Sequence, residues 1–255
     1  MTYILLVPHA MAQPSPDNQA LIDASVRAVQ EVLLGNCGST HSYENKPWTL
    51  SLEDKALNLT VFTADGPPGS ANRRFKGVCM LPYPPRKVLD VLDDSQGRLQ
   101  WDRNIKSLET VVLQEAPFKA CLLCSCTKNV GIISGRDFID VPVYLEYKDA
   151  PSPPAGPDAF VAPLGSLING GHGIPSHPLF PEKSGVVRGW NSPGSGWLFE
   201  PVVVEGGEVH TRVHYLIHVD LKGWIPTALV NSSLSVSAVA GVTFAPFFLL
   251  PSPQP

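Results

Sequence analysis

The sequence predicts one mixed α+β domain with a largely antiparallel sheet. Two observations carry this prediction, the order of the elements and the length of the chain. The pattern runs helix, three strands, short helix, six strands and final helix, and such segregated runs are typical of α+β folds. A chain of 255 residues fits one large domain or two small ones, since single cores stop growing at roughly 250–300 residues.

The first helix is predicted over residues 18–35. Asp17 or Asn18 can cap its start, and a glycine-containing stretch from Gly35 ends it. The apolar residues that recur at helical spacing are Leu21, Ile22, Val26, Val29, Val32 and Leu33. Residues 1–17, ahead of this helix, are expected to form a flexible N-terminus.

Strands are predicted wherever short runs rich in β-formers lie between turn residues. The runs are 48–52, 57–63, 74–81, 108–114, 119–126, 136–147, 185–191, 196–204 and 209–221. A short helix is expected to open at Pro84-Pro85, because proline suits the first turn of a helix. Residues 148–183 are rich in Pro and Gly and are predicted to form an extended lid loop, since long loops are often functional.

The composition excludes several classes of partner and compartment. The net charge of −4 argues against nucleic acid, because neutralising phosphates needs clustered Lys and Arg. No apolar run reaches 18 residues, and the first residues lack the basic start of a signal peptide. Charged residues make up only 16% of the chain, which fits an internal apolar surface. We therefore expect a soluble, cytoplasmic protein with reduced thiols on its five cysteines.

Two clusters suggest metal binding at first sight. His210, His214 and His218 recur on one predicted strand, where neighbours four apart lie ~13 Å from each other and cannot share an ion. We expect them, with Asp220, to occupy a solvated strand face. Cys121-Leu-Leu-Cys-Ser-Cys126 lacks the second cluster that a structural zinc site needs, so these cysteines are interpreted as core residues. No metal, cofactor or catalytic residue is predicted.

Arg136 and Asp137 interrupt an otherwise apolar strand. A buried unpaired charge is expensive, so both residues must find partners. We interpret them as a structural ion pair near the end of the sheet. The alternative is a polar anchor close to a ligand.

Several motifs in order resemble the START family of lipid-transfer domains, related to steroidogenic acute regulatory protein. They are Trp101-Asp-Arg-Asn104, Ile133-Ser-Gly-Arg-Asp-Phe138, Val187-Arg-Gly-Trp-Asn191, Gly196-Trp-Leu-Phe-Glu-Pro201, and His218-Val-Asp-Leu-Lys-Gly-Trp-Ile-Pro226 leading to Val230-Asn231. The set spans about residues 18–231, and its order and approximate spacing match the family. Within the family the chain looks closest to the small soluble members that bind sterols or bile acids.

The resemblance implies a START-type helix-grip fold, in which a curved antiparallel sheet surrounds a C-terminal helix and leaves an internal lipid tunnel. It implies a lipid-binding domain over 18–245, including the 148–183 loop, and a divergent tail over 246–255. The implied function is non-enzymatic binding and intracellular transfer of a sterol or bile-acid-like lipid. The protein would act as a monomer and touch membranes transiently.

The ligand-binding residues expected from this resemblance are Trp101, Leu123, Phe138, Pro142, Tyr215, Ile217 and Trp224. Relatives that bind cholesterol carry a Glu and an Arg facing each other in the cavity, and gapless counting puts those positions on Leu123 and Pro142. The charged pair is therefore absent. Alternation along 136–147 would instead turn Ile139 and Val141 inward, but we follow the family assignment for Pro142.

The C-terminal region also departs from the family. The last helix normally carries charges on its outer face, yet nothing after Lys222 is charged, and Pro246 would break a helix. We expect 236–250 to lie on the protein or at an interface rather than to span a bilayer. Two other functions stay open: a cavity enzyme of the cyclase or hydrolase type, and an interaction module with an altered lid.

Overall fold

The structure is a computed structural model. It describes residues 15–37, 47–67, 70, 72–129, 134–148, 160, 162–223 and 225. Helix α1 spans Pro16–Ala28 and continues through a π-helical turn, Val29–Leu33, into α2, Leu34–Cys37. Two short helices follow further along, α3 at Pro85–Asp93 and α4 at Ser95–Trp101.

The first helix begins two residues earlier than the sequence predicts. Ser15, rather than Asp17 or Asn18, caps it, because the Ser15 hydroxyl accepts a hydrogen bond from the Asn18 amide at 3.3 Å. Pro16 then occupies the first turn, where its missing N–H is not needed. The proposed boundary at residue 17 therefore falls inside α1.

Within the described residues, twelve strands form. They are β1 Thr49–Asp54, β2 Leu59–Ala64, β3 Arg74–Leu81, β4 Ile105–Gln114, β5 Lys119–Thr127, β6 Arg136–Glu146, β7 Leu167–Ile174, β8 Val187–Arg188, β9 Trp190–Asn191, β10 Ser195–Val203, β11 Val209–Ile217 and β12 Val219–Asp220. Nine of them follow the antiparallel order β1-β2-β3-β11-β10-β7-β6-β5-β4. Strand β8 pairs in parallel with β6, and β9 pairs with β12.

One strand lies inside the region that the sequence predicts to be a lid loop. Strand β7, within 148–183, occupies a central place between β10 and β6. Its glycines permit close approach: a Cβ on Gly171 would lie 2.9 Å from the Ser25 hydroxyl of α1, and one on Gly170 would lie 3.1 Å from Leu33. The prediction of one continuous lid over 148–183 is therefore wrong.

Both faces of the sheet are covered. On one face α1 and the π-helical turn contribute Ile22, Val29 and Leu33 to a core shared with Ile168, Leu198 and Leu216 of the strands. On the other face α3 packs Val88, Leu89 and Leu92 against a second core. A strand that is covered on both faces has no solvent-exposed side, so apolar and polar residues alternate less regularly along its sequence.

His214 of β11 and His218, which immediately follows that strand, show this second layer directly. Val213 and Tyr215 share one face as predicted, while His214 and His218 share the other. That other face is not solvated, because Leu216 packs there against the first helix. The expectation of a solvated histidine face is therefore wrong.

Each of the two buried histidines has polar partners on that face. The Nε2 atom of His214 lies 3.1 Å from a carboxylate oxygen of Glu200. The Nδ1 atom of His218 lies 2.5 Å from the Ser192 hydroxyl, and its Nε2 atom lies 3.1 Å from that of Ser70. These hydrogen bonds satisfy both ring nitrogens of His218 and the Nε2 atom of His214, whereas the buried Nδ1 atom of His214 has no hydrogen-bond partner among the described residues.

Several predictions lie outside the described residues. They concern the N-terminus up to residue 14, most of 149–161, Trp224, the final helix, and the tail that contains Pro246. Among the helices that the structure describes, none is long and apolar enough to cross a membrane.

Candidate functional site

A cavity of about 280 Å³ lies against the sheet face opposite α1. Alternate residues of neighbouring strands point into it, because side chains on a strand alternate between its two faces. The side chains that line it include Leu108, Thr110, Leu123, Ser125, Phe138, Asp140, Pro142, Tyr144, Trp197, Tyr215 and Ile217. Apolar atoms supply the larger part of the wall, although about half of the lining residues have polar or charged side chains.

The structure brings five of the seven expected ligand-binding residues to this cavity: Leu123, Phe138, Pro142, Tyr215 and Ile217. Trp101, in contrast, is buried in the apolar core at the end of α4, where the Arg98 guanidinium lies 5.9 Å from its ring. It is not among the lining residues, so its expected place in the wall is corrected. Trp224 lies outside the described part of the chain.

Strand β6 resolves the conflict over which of its faces turns inward. Phe138 and Pro142 line the cavity, while Ile139 and Val141 are buried in a separate apolar cluster on the other side. The Val141 carbonyl accepts a hydrogen bond from Ser25 of α1 at 2.5 Å. The more apolar set of residues therefore faces the helix, and the set that includes Pro142 faces the cavity.

Two aromatic rings form part of the cavity wall. Trp197 of β10 and Tyr215 of β11 are cross-strand partners, and their ring centroids lie 3.8 Å apart at an interplanar angle of 16°. Burial raises the pKa of the Tyr215 phenol, which therefore stays protonated at neutral pH. Because the rings stack face to face, each covers one face of the other, and the pair forms a rigid aromatic part of the wall.

Asp140 supplies the carboxylate nearest the centre of β6. Asp140 lines the cavity. Burial by the surrounding protein raises the pKa of its carboxyl group from the ordinary 3.8 to about 6. Its two oxygens accept hydrogen bonds from the side-chain amide of Asn191, at 3.1 and 3.0 Å. Directly across the sheet from Asp140 lies Leu123.

Asn191 reaches Asp140 because the segment before it is held tightly against β6. Arg188 donates two hydrogen bonds of 2.8 Å to the carboxylate of Asp137, and both side chains are almost fully buried. At Gly189 a Cβ would lie 2.4 Å from the ring of Phe138, so only glycine fits there. Charge pairing and close packing together place Asn191 beside the cavity.

A second glycine completes this arrangement. A Cβ on Gly173 of β7 would lie 2.6 Å from the backbone oxygen of Asn191. The ring nitrogen of Trp190 donates a hydrogen bond of 2.9 Å to the Gly173 carbonyl. Strand β9 can therefore lie flat on β7, which brings the Asn191 amide within reach of Asp140.

Arg136 and Asp137 do not pair with each other, which corrects the predicted ion pair. Consecutive strand residues point to opposite faces, and Asp137 binds Arg188 instead. The Arg136 guanidinium donates to the carbonyls of Leu221 and Lys222, at 3.1 and 3.3 Å, and to that of Ser134. Arg136 thus holds the turn where the chain leaves β12.

The other charged residues at the cavity are matched by opposite charges. The Arg98 guanidinium lies 3.4 Å from the carboxylate of Asp102. Asp93 accepts hydrogen bonds of 2.7 Å from both Lys119 and the hydroxyl of Tyr144. Among the residues that the structure describes, no group of three or more metal-ligating side chains is arranged to hold an ion.

Asp140, Asn191, Trp197 and Arg98 are functional candidates that the sequence reasoning missed. The sequence did contain a signal for Asp140. It is an acidic residue in an apolar run, and it lies two residues after Phe138, on the same face of the strand. No local pattern could identify Asn191, because its approach depends on Gly189 fitting against Phe138 and on Gly173 of the distant strand β7.

Comparison with known proteins agrees with this architecture. The START domain model matches residues 175–243. StAR-related lipid transfer protein 5 from Mus musculus is 26% identical over 189 residues, which covers 72% of this chain and 78% of that protein. Steroidogenic acute regulatory protein from Xenopus laevis is 25% identical over 168 residues, covering 65% and 51%.

Solved structures show the same fold. Human StAR-related lipid transfer protein 5 superposes with a TM-score of 0.62 at 23% identity, covering 78% of this chain and 84% of that one. A STAR-related lipid transfer protein fragment from Xanthomonas axonopodis gives 0.59 at 19% identity, covering 79% and 98%. The helix-grip fold and the resemblance to the START family, including its small members, are therefore confirmed.

Proposed function

We propose that this protein binds a single sterol-like or bile-acid-like lipid in its cavity and transfers it between membranes without chemical change. The observation that carries the proposal is the cavity itself, in whose wall apolar atoms supply the larger part. At about 280 Å³ it lies just below the roughly 300–1,000 Å³ typical of ligand pockets. The expected ligand contacts are Leu123, Phe138, Pro142, Tyr215 and Ile217.

The similarity to proteins named for lipid transfer supports this proposal. The stacked rings of Trp197 and Tyr215 form a rigid aromatic part of the wall, which suits an apolar ring system. The fold and the wall chemistry therefore point to the same class of ligand.

The same geometry gives less support to a cavity enzyme. Acid–base catalysis needs an acid and a base within reach of one ligand atom. His214 and His218 lie on the opposite side of the sheet, where Glu200 and Ser192 engage them. His172 also borders the cavity, but its Nδ1 atom lies 2.8 Å from the Ser25 hydroxyl of α1. None of the hydrogen bonds among the described residues joins Asp140 to a histidine.

A cytoplasmic site of action, a monomeric state and transient membrane contact complete the proposal. The five cysteines carry free thiols, and four of them are buried. Burial raises the pKa of the Cys121 thiol to about 11, which keeps it protonated and unreactive. Such thiols suit a reducing compartment.

A cavity-blocking variant tests the proposal. Purified protein is analysed by native mass spectrometry for a retained lipid, and its binding of a fluorescent sterol is measured by titration. In Leu123→Arg the longer side chain occupies the cavity, so binding should fall at least tenfold. Because position 123 lies directly across from Asp140, the new charge has a partner and the fold should survive.

The matched control is Val112→Arg. It adds the same side chain to the neighbouring strand β4, at a position that is 46% exposed. Its sterol affinity should stay within about twofold of the wild type. If Leu123→Arg, folded by circular dichroism, binds sterol as the wild type does, the cavity is not the lipid site.

A further inference from the structure

We propose that Asp140 is the specificity-determining polar anchor of the cavity, and that it selects a neutral lipid whose polar end is a hydroxyl over a lipid that ends in a carboxylate. This inference rests on the proposed lipid-binding function and narrows its ligand class. It is carried by the position of one carboxylate and by the balance of charge around it.

The position of Asp140 gives its oxygens access to a ligand. Asp140 lines the cavity from the middle of β6, between Phe138 and Pro142. The Asn191 side-chain amide donates to one acceptor position on each oxygen, at 3.1 and 3.0 Å. A carboxylate has about four lone-pair positions, so further donors can still be accepted.

The charge balance distinguishes Asp140 from the other acids of the wall. Asp102 is matched by Arg98, and Asp93 is matched by Lys119. No ion pair formed by the described residues includes Asp140, whose partner is the neutral amide of Asn191. The ionised cavity therefore carries one uncompensated negative charge.

This arrangement determines which polar end fits. An ionised carboxylate accepts a hydrogen bond from a hydroxyl, and such charge-assisted bonds are stronger than neutral ones. A ligand carboxylate would instead bring a second negative charge into a site of low dielectric, where like charges repel strongly. Arg98 offsets this repulsion only in part, because its guanidinium lies 3.4 Å from Asp102 and its charge is shared with that carboxylate.

The experiment compares three ligands on the same full-length protein at pH 7.5. They are a fluorescent sterol with a free 3-hydroxyl, the same sterol with that oxygen methylated, and a steroid with a side-chain carboxylate, measured by displacement. The wild type should bind the free sterol about tenfold more tightly than its methyl ether. The carboxylate steroid should bind more weakly than the free sterol by at least the same factor.

Variants assign the selectivity to Asp140. In Asp140→Leu the preference for the free hydroxyl should disappear, and in Asp140→Asn the affinity for the carboxylate steroid should rise about tenfold. A gain in binding cannot arise from misfolding. Glu109→Gln, which makes the matching acid-to-amide change at a half-exposed residue of β4 outside the cavity wall, should retain the wild-type order of the three ligands.

The outcomes separate this inference from the function on which it rests. Equal affinity of the wild type for the free and methylated sterols overturns the role of Asp140 but leaves lipid binding intact. So does an unchanged affinity of Asp140→Asn for the carboxylate steroid. Binding of none of the three ligands, with no lipid retained in native mass spectrometry, overturns lipid binding and the anchor together.

Discussion

Two regions of strand β6 carry an aspartate, and the two residues have opposite environments. At the second residue of the strand, Asp137 accepts two hydrogen bonds of 2.8 Å from Arg188, and 2% of the Asp137 side chain is exposed. Three residues later Asp140 faces the cavity and is bound by the neutral amide of Asn191. Asp137 thus has a partner of opposite charge, whereas Asp140 is held in place by a partner that does not neutralise its charge.

The difference separates a structural role from a functional one. A buried bidentate ion pair satisfies both groups, so it fixes the register of β8 on β6 and offers nothing to a ligand. A carboxylate in a cavity without a matching cation reduces the stability of the fold. Residues that cost stability in this way are common at functional sites.

The largest effect is expected from breaking the matched pair. Arg188→Leu leaves the Asp137 carboxylate buried without its cation, so the free energy of unfolding should fall by about 3–5 kcal/mol. Urea denaturation followed by tryptophan fluorescence measures this change. The double variant Asp137→Leu/Arg188→Leu should recover part of the loss, because no charge is then stranded.

An exposed ion pair provides the control for that variant. Lys183 lies 3.6 Å from Glu109, and both side chains are about half exposed. Lys183→Leu should change the free energy of unfolding by less than about 1 kcal/mol, as is usual for surface pairs. Similar losses in Lys183→Leu and Arg188→Leu would contradict a structural role for the buried pair.

A smaller loss is expected at the start of the strand. Arg136→Leu removes the donors to the carbonyls of Leu221 and Lys222, so we expect a cost of about 2–3 kcal/mol. Because Arg136 does not line the cavity, sterol affinity at a temperature where the variant is folded should stay within about twofold. A variant with wild-type melting temperature and lost binding would instead make Arg136 a ligand anchor.

The sequence predicted one of these regions better than the other. Period-2 alternation placed Phe138 and Pro142 on one face of β6 and Val141 on the other, as the structure shows. The same alternation did not show which face was the cavity, because helix α1 covers the more apolar side. Resemblance to the family settled that point correctly.

Pairing across the sheet was harder to predict than the faces of a strand. Arg136 and Asp137 were interpreted as an ion pair because a buried unpaired charge is expensive, but their partners come from residues 221–222 and from Arg188. Strand β7 was missed because its glycines reflect close approach by α1 and β9, not a loop. Both errors concern contacts between segments that are distant in sequence, and local sequence patterns contain no information about such contacts.

The smallest expected effect is a gain in stability on replacing Asp140, and it tests the difference between Asp140 and Asp137 most directly. Burial raises the pKa of Asp140 to about 6 from its ordinary 3.8. The folded protein therefore keeps a proton on Asp140 that the unfolded chain releases as pH rises from about 4 to about 6. The stabilisation from this proton is fully present below pH 4 and is lost above pH 6.

Asp140→Asn removes this dependence, since an amide does not titrate. The variant should be more stable than the wild type by about 1–2 kcal/mol above pH 6, with the difference shrinking as pH falls to about 4. Arg98 on α4 and Tyr215 on β11 are ionisable groups whose charges interact with that of Asp140. Urea denaturation at intervals between pH 4 and pH 8 measures the difference. A variant less stable than the wild type at pH 8 would mean that Asp140 stabilises the fold as Asp137 does, and the distinction between the two acids would fail.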